Sequence, residues 1–244
     1  MVNTRSVRAH FVVNNPTCQV IYEDSHLLVV NKPAGLAVMS GTATPASVHR
    51  WAANYLKQRY HKPGNVYIGI VHRLDKPVTG VLVLARTSKA ASRLTEQFRS
   101  KSVEKIYWAI VEGIFPGVHG TLQDWLCRDE RAQRVRVSRQ RLPGSHLAVL
   151  HYERKSIGRG LSWLELRPET GRRHQLRAQL ADRSCPIYGD RKYGSSFRLD
   201  DAIALHAYKL SIVHPITGGK MTFTAKPPAF WQPFAFLGVP IAAS

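Results

Sequence analysis

The sequence predicts an α+β domain built on a mostly antiparallel mixed sheet with flanking helices. Three observations carry that expectation. Short alternating or apolar runs, each bounded by turn residues, recur along the chain. Helical periodicity is confined to a few scattered stretches, without the strand–helix–strand rhythm of a parallel sheet. Of the 244 residues, 44% are hydrophobic, enough for one sizeable core.

Residues 1–17 read as a polar arm that ends at Asn14-Asn15-Pro16. A single domain is expected over 18–236, followed by a tail over 237–244. Within the domain, 20–31 gives two short strands around an Asp24-Ser25 turn, and Lys32-Pro33-Ala34-Gly35 breaks the pattern. Residues 47–60 are helix-like, with Val48, Trp51, Ala52 and Tyr55 on one face. The apolar run 81–85 follows a Thr79-Gly80 turn and reads as a buried strand.

A second helix is expected over 88–99, capped by Thr87 or Ser88. The alternating strand 106–112 closes at Gly113. Residues 128–141 are densely basic, and the alternation around Val135 and Val137 suits a charged strand or hairpin. Strands 148–155 and 161–167 flank a Ser-Ile-Gly-Arg-Gly turn. A third helix is expected over 171–182, then strands over 205–213 and 220–225, with Pro227-Pro228 ending the regular part.

Charge narrows the partner. Lys plus Arg number 35 against 16 acids, a formal net charge of +19. At that excess nucleic acid is the default partner, because Lys and Arg displace condensed counterions from phosphates. No stretch is long and apolar enough to cross a bilayer, and no basic amphipathic helix suits an anionic membrane. Met1 to His10 lacks an apolar signal core, and Cys18, Cys127 and Cys185 are few, odd in number and without metal spacing, so a reduced, cytoplasmic setting is expected.

Several chemistries are set aside. Ile216-Thr-Gly-Gly-Lys-Met would need glycine at His214 to be a phosphate loop, and Gly158-Arg-Gly lacks the third glycine of a dinucleotide turn. The zinc-deaminase pattern is absent, and His72 and His174 have no ligand cluster around them. No metal and no cofactor are expected.

Three segments remain as carriers of chemistry. They are His72-Arg73-Leu74-Asp75 before a strand, Glu104-Lys105-Ile106-Tyr107 at the start of another, and Thr170-Gly171-Arg172-Arg173-His174-Gln175-Leu176-Arg177. If the third is helical from its glycine, Arg173, His174 and Arg177 share one face. Taken alone, Asp75 beside Arg73 and Lys76 would be a surface ion pair.

Together these segments resemble the RNA pseudouridine synthase family, in the branch marked by His-Arg-Leu-Asp and a Thr/Ser-Gly turn. The resemblance extends from about Val20 to Phe236. It includes Tyr22-Glu23-Asp24 with Val29-Val30-Asn31-Lys32-Pro33-Ala34-Gly35, then Pro186-Ile-Tyr-Gly-Asp-Arg-Lys-Tyr-Gly, Leu205-His-Ala-Tyr-Lys-Leu and His214-Pro215. The turn here is Val78-Thr79-Gly80 where the family pattern has Thr-Ser-Gly, and Gln179 stands where many relatives carry histidine. The arm is too short for the small S4-type RNA-binding domain of many relatives.

What the resemblance implies is a pseudouridine synthase fold that isomerises uridine in ribosomal RNA, the large subunit favoured, or in transfer RNA, with no cofactor. Asp75 would be the catalytic carboxylate, either attacking C1′ or taking the C2′ proton. Arg177 would be its ion-pair partner, and Tyr107 a stacking platform whose hydroxyl helps remove the C5 proton. Arg73 would hold open the gap left by the flipped nucleotide. Lys105, Arg172, Arg173 and His174 would contact RNA. A monomer without an obligatory protein partner is expected. The rival reading is a catalytically idle RNA-binding or RNA-chaperone protein, and such a module has no need of an acid amid its phosphates.

Overall fold

Asp24 starts the sheet. Its carboxylate accepts the backbone N–H groups of His26 and Leu27, each at 2.7 Å, in an Asx turn that joins β1 (Gln19–Glu23) to β2 (Leu27–Lys32). In the computed structural model, residues 17–40 and 46–241 are described. The expected arm therefore lies outside the described residues except for Thr17, as do the last three residues of the expected tail.

The remaining strands are β3 (Gly69–Ile70), β4 (Thr79–Ala85), β5 (Glu104–Glu112), β6 (His119–Asp129), β7 (Arg134–Ser138), β8 (His146–Gly158), β9 (Leu161–Pro168), β10 (Leu205–Val213) and β11 (Lys220–Thr224). They form one sheet in the order β1-β2-β4-β10-β5-β9-β8-β6-β7, with β3 also on β4 and β11 also on β10. Among these strands every pairing is antiparallel except β4 with β10. The sheet is mixed and mostly antiparallel, and the fold is α+β.

Alternation explains why β2 and β4 are apolar throughout. Leu28, Val30, Leu82 and Leu84 face the larger core, whereas Leu27, Val29, Val81 and Val83 face a second core on the other side. Helix α1 (Val48–Arg59) covers the first face with Val48, Ala52 and Leu56. Helix α2 (Ser88–Arg99) covers the second with Ala90 and Leu94. Each begins at a hydroxyl cap, Ser47 accepting from the Arg50 N–H and Thr87 from the Ala90 N–H at 3.2 Å.

The basic stretch 128–141 spans the β6–β7 hairpin. Leu126, Val135 and Val137 point inward against Ala178 and Tyr193, leaving the arginines outside. The β8–β9 hairpin is longer than its pattern suggested. Its strands run to Gly158 and from Leu161, because Arg159 and Gly160, at φ 51° and 73°, complete a tight turn by themselves.

Two expectations need correction. Helix α3 occupies Gln175–Ala181 rather than 171–182, since His174 adopts a left-handed conformation at φ 50° and breaks the helix at its start. The Thr170 hydroxyl and the Arg172 N–H both bond the Gln175 side-chain carbonyl instead, at 2.7 and 3.0 Å. The chain also stays ordered beyond Pro227-Pro228. A 3₁₀ segment, Ala229–Leu237, buries Trp231, Phe234 and Leu237, and Val239 follows them into the main core, so packing crosses the expected boundary at 236.

Candidate active site

The His72–Asp75 segment lies in the connection between β3 and β4, and its histidine is an anchor. The Val83 N–H donates to His72 Nε2 at 3.0 Å, and the ring stacks on Phe98 with centroids 4.5 Å apart. Burial, followed by the charge of Lys105, pushes the His72 pKa down to about 3. Leu74 is buried, Arg73 is exposed, and the Asp75 carbonyl closes a turn with the Val78 N–H at 3.0 Å.

The threonine of the turn keeps its hydroxyl at work. His206 Nε2 donates to the Ala225 carbonyl at 2.9 Å, so Nδ1 is left to accept from the Thr79 hydroxyl at 2.8 Å. Glycine is required next. A Cβ on Gly80 would stand 2.3 Å from the Ala207 carbonyl oxygen, and its φ is 115°. This close approach is where β4 meets β10 in parallel.

Lys32 holds the other side of the loop. Its ammonium, fully buried, donates to the carbonyls of Pro33, Leu36 and Lys76 at 2.7, 2.8 and 3.1 Å. Burial pulls its pKa down to about 7, opposed in part by the charge of Asp75. The Lys76 carbonyl also receives the Gly35 N–H at 3.1 Å, so the segment following Asp75 is tied to the 33–36 loop twice.

Arg177 connects the α3 segment to this acid. Its Nη1 donates to Asp75 Oδ2 at 3.0 Å, while Nε and Nη2 grip Asp190 Oδ2 and Oδ1 at 2.7 and 2.8 Å. The Tyr193 ring lies under the guanidinium, 5.0 Å from its centre. Burial opposes the charge on Arg177, but hydrogen bonds and charge from Asp190 and Asp75 outweigh it and raise the pKa. Asp190 is 1% exposed, whereas the Asp75 side chain is 28% exposed. Arg177 thus joins an interior carboxylate to one that substrate can reach.

His174 completes the arrangement. Its Nε2 is 3.7 Å from Asp75 Oδ2 and its Nδ1 is 2.9 Å from the Tyr193 hydroxyl. Burial lowers its pKa, with Asp75 opposing and Arg177, Arg173 and Lys192 assisting. Tyr107, on β5, is half-buried against the main core. Burial and then the charge of Asp75 raise its phenol above the ordinary value, and in the sheet Ala207 stands between Tyr107 and Gly80 of the turn that follows Asp75. A cleft of about 470 Å³ adjoins Lys76 and Arg177, lined further by Asp190, Arg191, Arg198 and the acids Asp200 and Asp201.

The structure therefore brings Asp75, Arg177, His174 and Tyr107 together. It does not gather the other expected residues so closely. Arg173 precedes α3 and is exposed, because the helix starts too late for it to share a face with Arg177. Arg172 is exposed and its Nε donates to the Leu147 carbonyl at 3.1 Å. Lys105 is half-buried near His72, its pKa lowered first by burial and then by Lys101. Sequence reasoning missed Asp190 and Tyr193, although both stand in the quoted Pro186–Gly194 motif. A single acid between Gly189 and the basic pair Arg191-Lys192 was the available signal. Among the described residues no three His, Cys, Asp or Glu side chains are grouped to hold a metal ion.

Such a site offers one reachable carboxylate held by a guanidinium, beside an aromatic ring and a cleft lined by charges of both signs. Comparison with known proteins agrees with that chemistry. The RNA pseudouridylate synthase family model matches residues 26–182. The chain is 34% identical to an uncharacterized RNA pseudouridine synthase of Synechocystis over 232 residues, covering 91% of this chain and 69% of the relative. It is 34% identical to ribosomal large subunit pseudouridine synthase D of Pseudomonas aeruginosa over 230 residues, covering 86% and 68%. Among solved structures, human RNA pseudouridylate synthase domain containing 4 superposes with a TM-score of 0.72 at 26% identity, over 87% of this chain and 90% of that one. The chain belongs to the RNA pseudouridine synthase family and is an isomerase acting on RNA.

Proposed function

We propose that this chain isomerises uridine in ribosomal RNA of the large subunit, acting as a monomer in the cytoplasm without cofactor. The reading is supported by the names of several relatives, ribosomal large subunit pseudouridine synthase D among them. A net charge of +19 suits so anionic a substrate. Among the described residues no helix is long and apolar enough to cross a membrane.

The observation that carries the assignment of roles is the Arg177–Asp75 pair. Arg177 commits two donors to buried Asp190 and keeps one for Asp75, so the reachable carboxylate is held in place beside the cleft. Asp75 acts at the ribose, by attack on C1′ or removal of the C2′ proton, as the N1–C1′ bond breaks. The freed uracil turns on the Tyr107 ring, where stacking is worth about 1–3 kcal/mol. Joining of C5 to C1′ breaks the Asp75–C1′ ester on the first route, or returns the C2′ proton from Asp75 on the second; the C5 proton is then lost by way of the Tyr107 hydroxyl, and N1 gains a proton in exchange. Arg73 fills the gap left by the flipped nucleotide, and Lys105, Arg172 and Arg173 serve RNA phosphates.

Asp75→Asn is expected to abolish pseudouridine formation while RNA binding persists, and turnover at the wild-type rate would overturn the role of Asp75. Mapping pseudouridines in total RNA from a deletion strain and its parent tests the target. Loss of one large-subunit site supports the reading. Loss confined to transfer RNA would replace the substrate, and no loss at all would favour the idle RNA-binding protein.

A further inference from the structure

We infer that the Tyr193 hydroxyl is a positioning group that links the basic β6–β7 hairpin to the carboxylate of Asp75. The inference rests on the proposed role of Asp75. Tyr193 is buried among Leu126, Val135, Ala148 and Ala178, between the hairpin and α3. Its oxygen accepts the backbone N–H of Val135, on β7, at 2.9 Å. The same hydroxyl lies 2.9 Å from His174 Nδ1, and its ring supports the Arg177 guanidinium.

The donor directions follow from these contacts. With Val135 donating into the phenol oxygen, the single phenol hydrogen is free to go to His174 Nδ1. Neutral His174 then carries its own hydrogen on Nε2, the nitrogen 3.7 Å from Asp75 Oδ2. A backbone N–H of the hairpin, a phenol and an imidazole therefore form one directed chain, whose Nε2–H end stands 3.7 Å from the reactive carboxylate. Both neighbours of Asp75, the Arg177 guanidinium and the His174 imidazole, are touched by the same tyrosine.

The hairpin's outer face carries Arg134 and Arg136, and Arg131 stands in its turn. RNA phosphates drawn to those cations press on a strand whose inner backbone holds Tyr193. Seating of RNA on the hairpin and alignment of the donors around Asp75 are thus mechanically one event. Hydrophobic packing alone would explain a tyrosine at this place, but it would leave the hydroxyl's two partners without a consequence.

Long-range ¹⁵N–¹H spectra of the wild-type protein give the test that needs no variant. The Nε2–H tautomer of His174 is expected, and the Nδ1–H tautomer would overturn the inference. Tyr193→Phe keeps the ring over Arg177 and removes only the hydroxyl. On total RNA from a deletion strain, its single-turnover rate is expected to fall about tenfold, with the RNA concentration for half-maximal rate nearly unchanged. His174 in that variant should show mixed tautomers. A wild-type rate, or a loss expressed only in RNA affinity, would reduce Tyr193 to packing. Should wild-type protein form no pseudouridine, the functional reading fails by itself, while the tautomer still decides the linkage.

Discussion

Arg177 and Asp190 form a two-point ion pair in the interior, Nε to Oδ2 at 2.7 Å and Nη2 to Oδ1 at 2.8 Å, with the acid 1% exposed. Such a pair is costly to split, since removing one charge leaves the other buried without compensation, at about 3–5 kcal/mol. Asp190→Asn should destabilise the protein by about that amount and free Arg177 to close more tightly on Asp75. Single-turnover pseudouridine formation should drop at least about tenfold, read against the unfolding midpoint of the same preparation. An unchanged rate in folded Asp190→Asn would mean that Asp190 does not position Arg177.

The raised phenol of Tyr107 keeps it protonated through neutral pH, under the combined effect of burial and the Asp75 charge. Tyr107→Phe should retain stacking and RNA affinity, and slow loss of the C5 proton. A rate loss of about 10²-fold fits the removal of one general acid–base group. Trapped, non-aromatic C5-linked uridine in quenched reactions would be the direct sign.

Gly80 offers a stability test. Alanine there would force its Cβ to within 2.3 Å of the Ala207 carbonyl at a φ of 115°. Gly80→Ala should cost about 3 kcal/mol or more, as β4 and β10 are pushed apart. Urea titration of the variant measures it, and a loss under about 1 kcal/mol would show the crossing to be loose.

Acid should weaken the fold through buried histidine. His206 is fully buried and its pKa is pushed down to about 4 by burial, against the hydrogen bond to Ala225. The unfolded chain takes up this proton near pH 6.5 and the folded chain only near pH 4. Stability is full above pH 6.5 and declines as pH falls toward 4, by on the order of 3 kcal/mol. His72, lowered to about 3, acts in the same direction. Urea midpoints measured between pH 7 and 4 should fall steadily.

Binding should be steeply salt-dependent. With 35 basic side chains against 16 acidic, several phosphates are neutralised on docking, and log affinity should fall linearly with log salt. Replacing exposed Arg131 and Arg134 by Gln should flatten that slope. A slope near zero for the wild-type protein would contradict the basic-surface argument.

Local signals made much of the fold legible. The 88–99 helix follows from its hydroxyl cap and apolar spacing, and β4 from an unbroken apolar run that burial on both faces requires. The pairing of Arg177 with Asp75 came from motif resemblance, since no local rule joins residues 102 apart in sequence. The helix start at Gly171 was misread because a left-handed histidine leaves no compositional mark. Arg173 was misplaced with it. Asp190 escaped notice for a similar reason, its burial being a property of the assembled sheet. The aromatic segment after Pro228 lacks periodicity and still packs, because a 3₁₀ turn spaces Trp231, Phe234 and Leu237 three apart.

The place of β10 has a consequence for the order of synthesis. It pairs with β4 along one edge and with β5 along the other, so the strand that follows Asp75 and the strand that carries Tyr107 are neighbours only through it. Those two strands emerge from the ribosome about a hundred residues before β10 does. Until 205–213 inserts, the halves bearing the acid and the aromatic ring have no shared sheet. The late strand is what makes the acid-bearing and ring-bearing strands parts of one sheet.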